Sequence, residues 1–282
     1  MELESGCMIG ENCIISSDAR IGKNVRIGHN CIIEDNVYIG DNSYIDSNVI
    51  IRDGTRIGQN SKVEAGCILG EHLMDFYNDF SNLNHTLNIG DNALIRSYTV
   101  IYNDNNIGNN FQTGHHATIR EKSTIGDNVS IGTLSDIQGY CEIGDYVRIH
   151  SNVHIGQKTK IERFVWIFPY TVFTNDPTPP SQNLVGVEVK SFAIIATGAL
   201  LLPGIKVERD SMIAAGAVVT KNVEEYTVVA GNPAKVIGDI RNIKNKVTGE
   251  NAYPWRYHFD RAMPWENVEF DNWYNGLKFE EI

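Results

Sequence analysis

The chain has 282 residues and a mass of 31.5 kDa, is 42% hydrophobic, and carries a formal net charge of -11. That length suits one long repeat domain with an addition, or two ordinary domains. The charge argues against general nucleic-acid binding but leaves room for an anionic small ligand in a locally basic pocket. The opening Met1-Glu2-Leu3-Glu4-Ser5 is acidic, and no apolar run approaches about 18 residues, so neither a signal peptide nor a membrane span is expected and the location expected is cytoplasmic.

An apolar residue recurs at every sixth position from Ile9 to Leu69, again from Ile89 to Phe173 with Thr113 as the polar exception, and again from Ile195 to Val219. A period of six fits neither the turn of a helix nor the simple alternation of a strand; it predicts a solenoid of short parallel strands in which one residue per hexad plugs the interior. About thirty hexads make about ten three-sided coils, stacking to roughly 50 Å at about 4.8 Å per strand. The predicted fold is an all-β solenoid over residues 1–232, followed by a C-terminal segment, 233–282.

In residues 5–70 most corners read Gly, a polar residue, then Asn, as in Gly10-Glu11-Asn12 and Gly40-Asp41-Asn42. Gly and Asn tolerate the positive φ that a tight corner demands, and these coils read as scaffold. Cys7, Cys13, Cys31, Cys67 and Cys141 each lie two residues before a frame position, a slot that elsewhere holds Ala, Val, Ser or Thr. They are expected to be free, inward-facing and structural.

Two stretches break the frame, 71–88 and 175–190. Hexads counted in threes assign Leu69 and Phe173 to one face, so both loops are expected to leave the same corner, and long loops on a repeat scaffold usually overlie a functional surface. Between them, one corner column is ordinary (Asn109-Asn110, Asp127-Asn128). A second holds Ser97-Tyr98, His115-His116, Thr133-Leu134, Ser151-Asn152 and Pro169-Tyr170. A third runs through Glu121-Lys122 and Asn175-Asp176. Arg96, Arg120 and His150 stand where Gly usually follows the frame residue. Functional sites are where local rules break, which puts the candidate site between the second and third corners. Beyond the last coil, Val236, Ile237, Ile240, Ile243 and Val247 have helical spacing, so a helix is expected over 234–247. Residues 251–282 contain Trp255, Trp265 and Trp273 and are expected to pack as an arm or small subdomain on their own or a neighbouring subunit.

The hexads, together with Gly216-Ala217-Val218-Val219-Thr220-Lys221 and Ala230-Gly231-Asn232-Pro233-Ala234-Lys235-Val236-Ile237, resemble the hexapeptide-repeat acyltransferases over about residues 9–237. The resemblance implies a left-handed parallel β-helix (against the usual right-handed crossover), a homotrimer, an acetyl-CoA or other acyl-CoA co-substrate, no metal, and active sites between adjacent subunits. A narrower likeness, in residues 89–132 with Arg148-Ile149-His150-Ser151-Asn152-Val153 and the loop after Val172, is to the branch that acylates amino groups of nucleotide-linked deoxysugars for O-antigen and related surface glycans. The 71–88 insertion and the aromatic tail depart from that branch.

N-acylation needs a neutral amine, an aligned thioester and a donor for the developing oxyanion. Histidine titrates near neutral pH, and the likeness puts His115 at the site as the candidate base, with Glu121 to orient it or to bind the sugar ammonium. Candidate substrate contacts are Gln112, Asn152 and Asn175, with Arg96 and Arg120 for a diphosphate. His150 joins them, with Asp136 and His154 as a possible pair one coil apart. His116 is a further candidate, with a turn role as its alternative. The resemblance assigns Ala199, Ala214, Gly216, Ala217, Lys221, Pro233 and Lys235 to the coenzyme A end. The reading is an acyl-CoA-dependent N-acyltransferase for a dTDP- or UDP-linked amino-deoxyhexose, with sugar O-acetylation as the near alternative. A zinc enzyme of the γ-carbonic anhydrase type needs three converging histidines, and the phase of His115, His150 and His154 is wrong for it; a silent scaffold is the third reading.

Overall fold

The sixfold spacing becomes three flat walls. In the computed structural model, which describes residues 2–80 and 85–280, strands mostly of two residues succeed one another around a triangular solenoid. The first face stacks eleven strands, from Glu2–Leu3 to Lys206–Val207. The second stacks thirteen, from Met8–Ile9 through Met212–Ile213 to two closing strands, and the third stacks eleven, from Ile14–Ile15 to Val218–Val219. All neighbours pair in parallel except the last two, and the register is one coil, as in Ile119 beside Ile137, Ile155 and Phe173.

Each frame residue points inward and pairs with its counterpart in the coils above and below, so the core is a continuous column of Ile, Val and Leu. The position two residues earlier is the second inward slot: Cys31, Cys67 and Cys141 are buried there, Cys7 and Cys13 half-buried, and all five are free thiols. Backbone N–H groups donate to the next coil rather than within a coil, for example Gln112 N to Val129 O at 2.9 Å. At the ordinary corner, Asn110 and Asn128 take φ of 55° and 58°, and the Asn110 amide donates to Asn128 Oδ1 at 3.1 Å. The preceding glycine is required by space: a Cβ on Gly40 would lie 2.5 Å from the backbone nitrogen of Gln59 in the next coil.

Three details differ from the spacing argument. The solenoid has one coil more than the sequence count, because Leu3 begins it and because Val189, inside the expected 175–190 loop, occupies a frame slot between Ile161 and Val207. The helix expected over 234–247 is absent. Lys235–Asp239 instead pairs antiparallel with Thr227–Ala230, and a 3-10 turn follows at Ile240–Asn242. The top edge of the second face offers unpaired backbone groups, and a strand satisfies them where a helix would not. Of the helically spaced set only Ile240 is buried. The C-terminal helix lies further on, at Phe270–Glu280.

The tail folds back on its own solenoid. Trp255, Met263, Trp265 and Phe270 share a second core with Phe164, Phe192 and Ile194, which project outward from the coils, and a buried Arg256–Asp210 ion pair ties it down. Among the described residues no helix is long and apolar enough to cross a membrane.

Candidate active site

The two loops leave the corner between the third and first faces, after Leu69 and Phe173. The first contains the short helix Met74–Asn78, and His85 pins it: Nε2 lies 2.8 Å from Asp75 and Nδ1 2.9 Å from Asp104 of the corner. No local spacing announced this clasp, since its members are 10 and 19 residues from the histidine. In the second loop Asp176 accepts hydrogen bonds from Thr178 and Ser181. Asn175, at the corner, accepts Val185 N through its carbonyl at 2.8 Å.

The third face separates that corner from the His115 corner. Its outward column is apolar at the bottom (Ile14, Ile32, Ile50, Ile68, Val100) and at the top (Val172, Leu200, Val218). The stripe is broken by Thr118, Asp136 and His154 in consecutive coils. The matching column of the first face is polar or tyrosine throughout, for example Arg20, Tyr38, Arg56, Asn88 and Asn106. Asp136 Oδ2 meets His154 Nδ1 at 3.1 Å and accepts from Gln138 Nε2 at 2.7 Å. Burial pushes its carboxyl up, but those hydrogen bonds and the charges of His154 and Arg120 outweigh burial and hold it below the usual aspartate value.

His115 sits on the corner between the second and third faces. Its backbone N–H donates to Thr133 Oγ1 at 3.2 Å; its imidazole is exposed and has no hydrogen-bond partner among the described residues. Below it, the polar frame exception is satisfied inside the core: Thr113 Oγ1 accepts from Arg96 N at 3.0 Å and lies 3.1 Å from Thr99 Oγ1. His116 takes φ of 55° as the turn residue and stacks on Tyr98 with ring centroids 4.9 Å apart. Asn152 is likewise a turn residue, with φ of 58°.

Several candidates are committed elsewhere. Arg96 is paired with Glu64 at 3.0 Å. Arg120 is held by both oxygens of Glu121, Nε–Oε2 at 2.8 Å and Nη2–Oε1 at 3.2 Å, over the Tyr102 ring. The Glu121 hydrogen bond raises the guanidinium above its usual value. Glu121 therefore lies at the far edge of the third face from His115, bound to arginine, and within one chain it does not orient the imidazole. Gln112 and His150 belong to the second face. There His150 stacks on Phe168 at 4.7 Å, and burial pulls its proton affinity down. Both line an open cleft of about 390 Å³ whose walls include Phe259 and Arg261 of the tail. Arg148, Trp166, Phe259 and Arg261 escaped the sequence reading because the path of the tail is not written in the hexads. His115, His150 and His154 thus occupy a corner and two different faces, and they do not converge within the chain.

The His115 corner continues upward through Thr133, Ser151, Pro169, Thr197 and Ala215, five steps of about 4.8 Å, or roughly 24 Å. Of the residues assigned to the donor, Ala199 and Ala217 are fully buried in the core, so within the chain neither offers surface to a ligand. Ala214 begins the top corner, and a Cβ on Gly216 would meet nothing within 4 Å. Pro233, Lys221 and Lys235 are exposed, and neither lysine has an ion-pair partner among the described residues.

Comparison with known proteins agrees with this architecture. Residues 1–74 match the family described as GMPPB C-terminal domain, 122–157 the bacterial transferase hexapeptide (six repeats), and 196–221 the hexapeptide repeat of succinyl-transferase. The 122–157 span contains Asp136, His150, Asn152 and His154. The 2,3,4,5-tetrahydropyridine-2,6-dicarboxylate N-acetyltransferase of Staphylococcus aureus (strain bovine RF122 / ET3-1) is 40% identical over 67 residues, 24% of this chain and 27% of that protein. A chloramphenicol acetyltransferase of Escherichia coli is 34% identical over 82 residues, 27% of this chain and 39% of that one. The chain thus spans well under half the length of either relative. The structure of an Arabidopsis UDP-N-acetylglucosamine acyltransferase shares the fold, a left-handed parallel β-helix, with a TM-score of 0.52 at 20% identity over 81% of this chain and 73% of that one.

Proposed function

Because the chain is built from the hexapeptide repeats of bacterial transferases, we propose that it is an acyl-CoA-dependent N-acyltransferase acting on a nucleotide-linked amino-deoxyhexose of surface-glycan synthesis. The observation that carries this reading is the break of the apolar stripe at Thr118, Asp136 and His154, beside a corner whose imidazole, His115, has no partner among the described residues. An outward column of Ile, Val and Leu, half-buried in one chain except for the exposed Ile14, is suited to burial against a second copy, and its polar interruption then becomes a walled site between subunits of a homotrimer. The acyl-CoA lies along the His115 corner, with its phosphates toward Lys221 and Lys235 and its thioester near His115.

The neutral sugar amine attacks the thioester carbonyl, His115 takes the proton lost by nitrogen, and the C–S bond breaks as that proton passes to sulfur, so that the coenzyme leaves as the thiol. The Asp136–His154 pair offers hydrogen bonds to the sugar across the third face. The N-acetyltransferase and acetyltransferase relatives support the acyl chemistry; the amino-sugar acceptor rests on the likeness of residues 89–132. A thiol-release assay with acetyl-CoA against dTDP- and UDP-linked amino sugars and their hydroxyl counterparts tests it. Release with an amino sugar alone is expected. Release only with hydroxyl sugars would turn the reading to O-acylation, and release with neither, from acetyl or longer acyl-CoA, would refute it. A monomer in sedimentation at micromolar concentration would refute the intersubunit site.

A further inference from the structure

The cleft between the second face and the tail lies outside the third-face site, and its lining is unusual for so acidic a chain. Its walls include the guanidinium groups of Arg148 and Arg261, the rings of Trp166 and Phe259, and the polar groups of Gln112 and His150, with no carboxylate. The cleft on the first face, by contrast, holds Glu142, Asp145 and Glu162 beside Lys160, Arg163 and Lys190. An acid-free pocket in a protein of net charge -11 selects an anion.

The two arginines play different parts. Arg148 donates to the carbonyls of Asn128 and Ala262, the latter at 3.2 Å, and so pins the tail to the face. Arg261 is exposed and has no ion-pair partner among the described residues, and its guanidinium lies 5.9 Å from the centre of the Phe259 ring. Trp166 and Phe259 meet edge to face at 5.4 Å, and Trp166 also packs against Trp255 at 5.9 Å and Phe168 at 6.3 Å; both Trp166 and Phe259 are only half-buried, which leaves ring surface for a further planar group. The indole N–H of Trp166 is buried without a hydrogen-bond partner among the described residues, a donor that a ligand would satisfy. Burial favours the neutral form of His150, which can accept as well as donate. The cleft also reaches Gly114, Gly132 and Ser151, the residues of the His115 corner itself.

We infer that this cleft binds the nucleoside diphosphate of the acceptor, its base against Trp166 and Phe259 and its phosphates at Arg261, with the sugar leading over the corner to His115. This rests on the reading of the acceptor as nucleotide-linked. It gives the diphosphate a cation other than Arg96 and Arg120, whose guanidinium groups are held by Glu64 and Glu121. It also gives the tail a function that its aromatic packing alone does not require.

The test is a titration of full-length protein with TDP and with UDP, followed by tryptophan fluorescence, with no acyl donor present. Saturable quenching is expected, with affinity falling about tenfold or more in Arg261→Ala and in Phe259→Leu while the thermal midpoint of Arg261→Ala is unchanged. In turnover, Arg261→Ala raises KM for the nucleotide sugar and leaves kcat within about twofold. Absence of saturable binding at millimolar nucleotide would overturn the inference. So would affinities that Arg261→Ala and Phe259→Leu leave intact but Arg96→Ala abolishes. Because the titration needs no acyl transfer, nucleotide binding with a failed thiol-release assay would refute the reaction and keep the subsite; the converse would refute the subsite alone.

Discussion

Replacing His115 by Asn removes the group that takes a proton while keeping a polar side chain of similar reach. The corner should tolerate it. What His115 contributes to the fold is its backbone N–H to Thr133 Oγ1 at 3.2 Å, and its exposed ring has no partner among the described residues, so the stability cost is within about 0.5 kcal/mol. Loss of a general base costs about 10²- to 10⁴-fold in turnover, or about 2.7–5.4 kcal/mol of barrier. His116→Asn is the matched control. At φ of 55° His116 occupies the slot that Asn128 and Asn152 fill at 58°, so Asn fits and only the stack on Tyr98 at 4.9 Å is lost, about 0.5–1.5 kcal/mol. Thiol release at saturating acyl-CoA, with a urea midpoint for each variant, reads both. The expected result is a fall of about 10²-fold or more for His115→Asn against a few-fold for His116→Asn. A His115→Asn enzyme keeping more than about a tenth of wild-type turnover, or a His116→Asn enzyme falling as far, would refute the assignment of the base.

Three further outcomes follow from the geometry. Gly40→Ala places a methyl 2.5 Å from Gln59 N and 2.6 Å from Gly58 C; backbone cannot yield as a side chain does, so the urea midpoint should drop by an amount equivalent to about 1–3 kcal/mol, and an unchanged midpoint would contradict the close-approach account. Burial pushes the Cys67 thiol up to about 11 and the Cys141 thiol up to about 12, so iodoacetamide at pH 8 should modify native protein at Cys7 and Cys13 only; peptide mapping that finds Cys67 or Cys141 labelled before unfolding would count against the inward slot. Asp136 lies below its unfolded-chain value of 3.8 because the His154 and Gln138 hydrogen bonds outweigh burial, so its contribution is present above that value and is lost as pH falls through the lower folded value. The pair is partly exposed, which limits the effect to about 0.5 kcal/mol. Denaturation midpoints of wild type and Asp136→Asn should therefore differ from pH 8 to pH 5 and converge below pH 3.8; a gap that widened on acidification would reverse the sign.

The solenoid was legible in the sequence because its determinants are local and repeat: an inward Ile at each sixth position, a small residue two places before it, and Asn where the corner needs positive φ. The same arithmetic put Leu69 and Phe173 on one face and so predicted correctly that both long loops share a corner. It also showed that Ser97, His115, Thr133 and Ser151 form one column. It failed at 234–247, where apolar spacing suggested a helix but the unpaired edge above Thr227–Ala230 drew Lys235–Asp239 into a strand. It missed Val189, whose hexad follows a loop that resets the count.

The division of the candidate residues was decided only in three dimensions. Arg96 and Arg120 suited either a diphosphate or a corner salt bridge in the sequence, and the structure shows the salt bridges, each with a carboxylate within 3.0 Å. Gln112 and His150 stood in the sequence as candidate substrate contacts near His115, and the tail makes them part of the wall of a separate cleft. The His85 clasp joins segments with no periodic relation. Periodicity reports which way a side chain points from its own strand. What then covers that side chain is set by contacts between distant parts of the chain, such as Phe259 over Trp166 or His85 between Asp75 and Asp104, and a six-residue pattern carries no information about those.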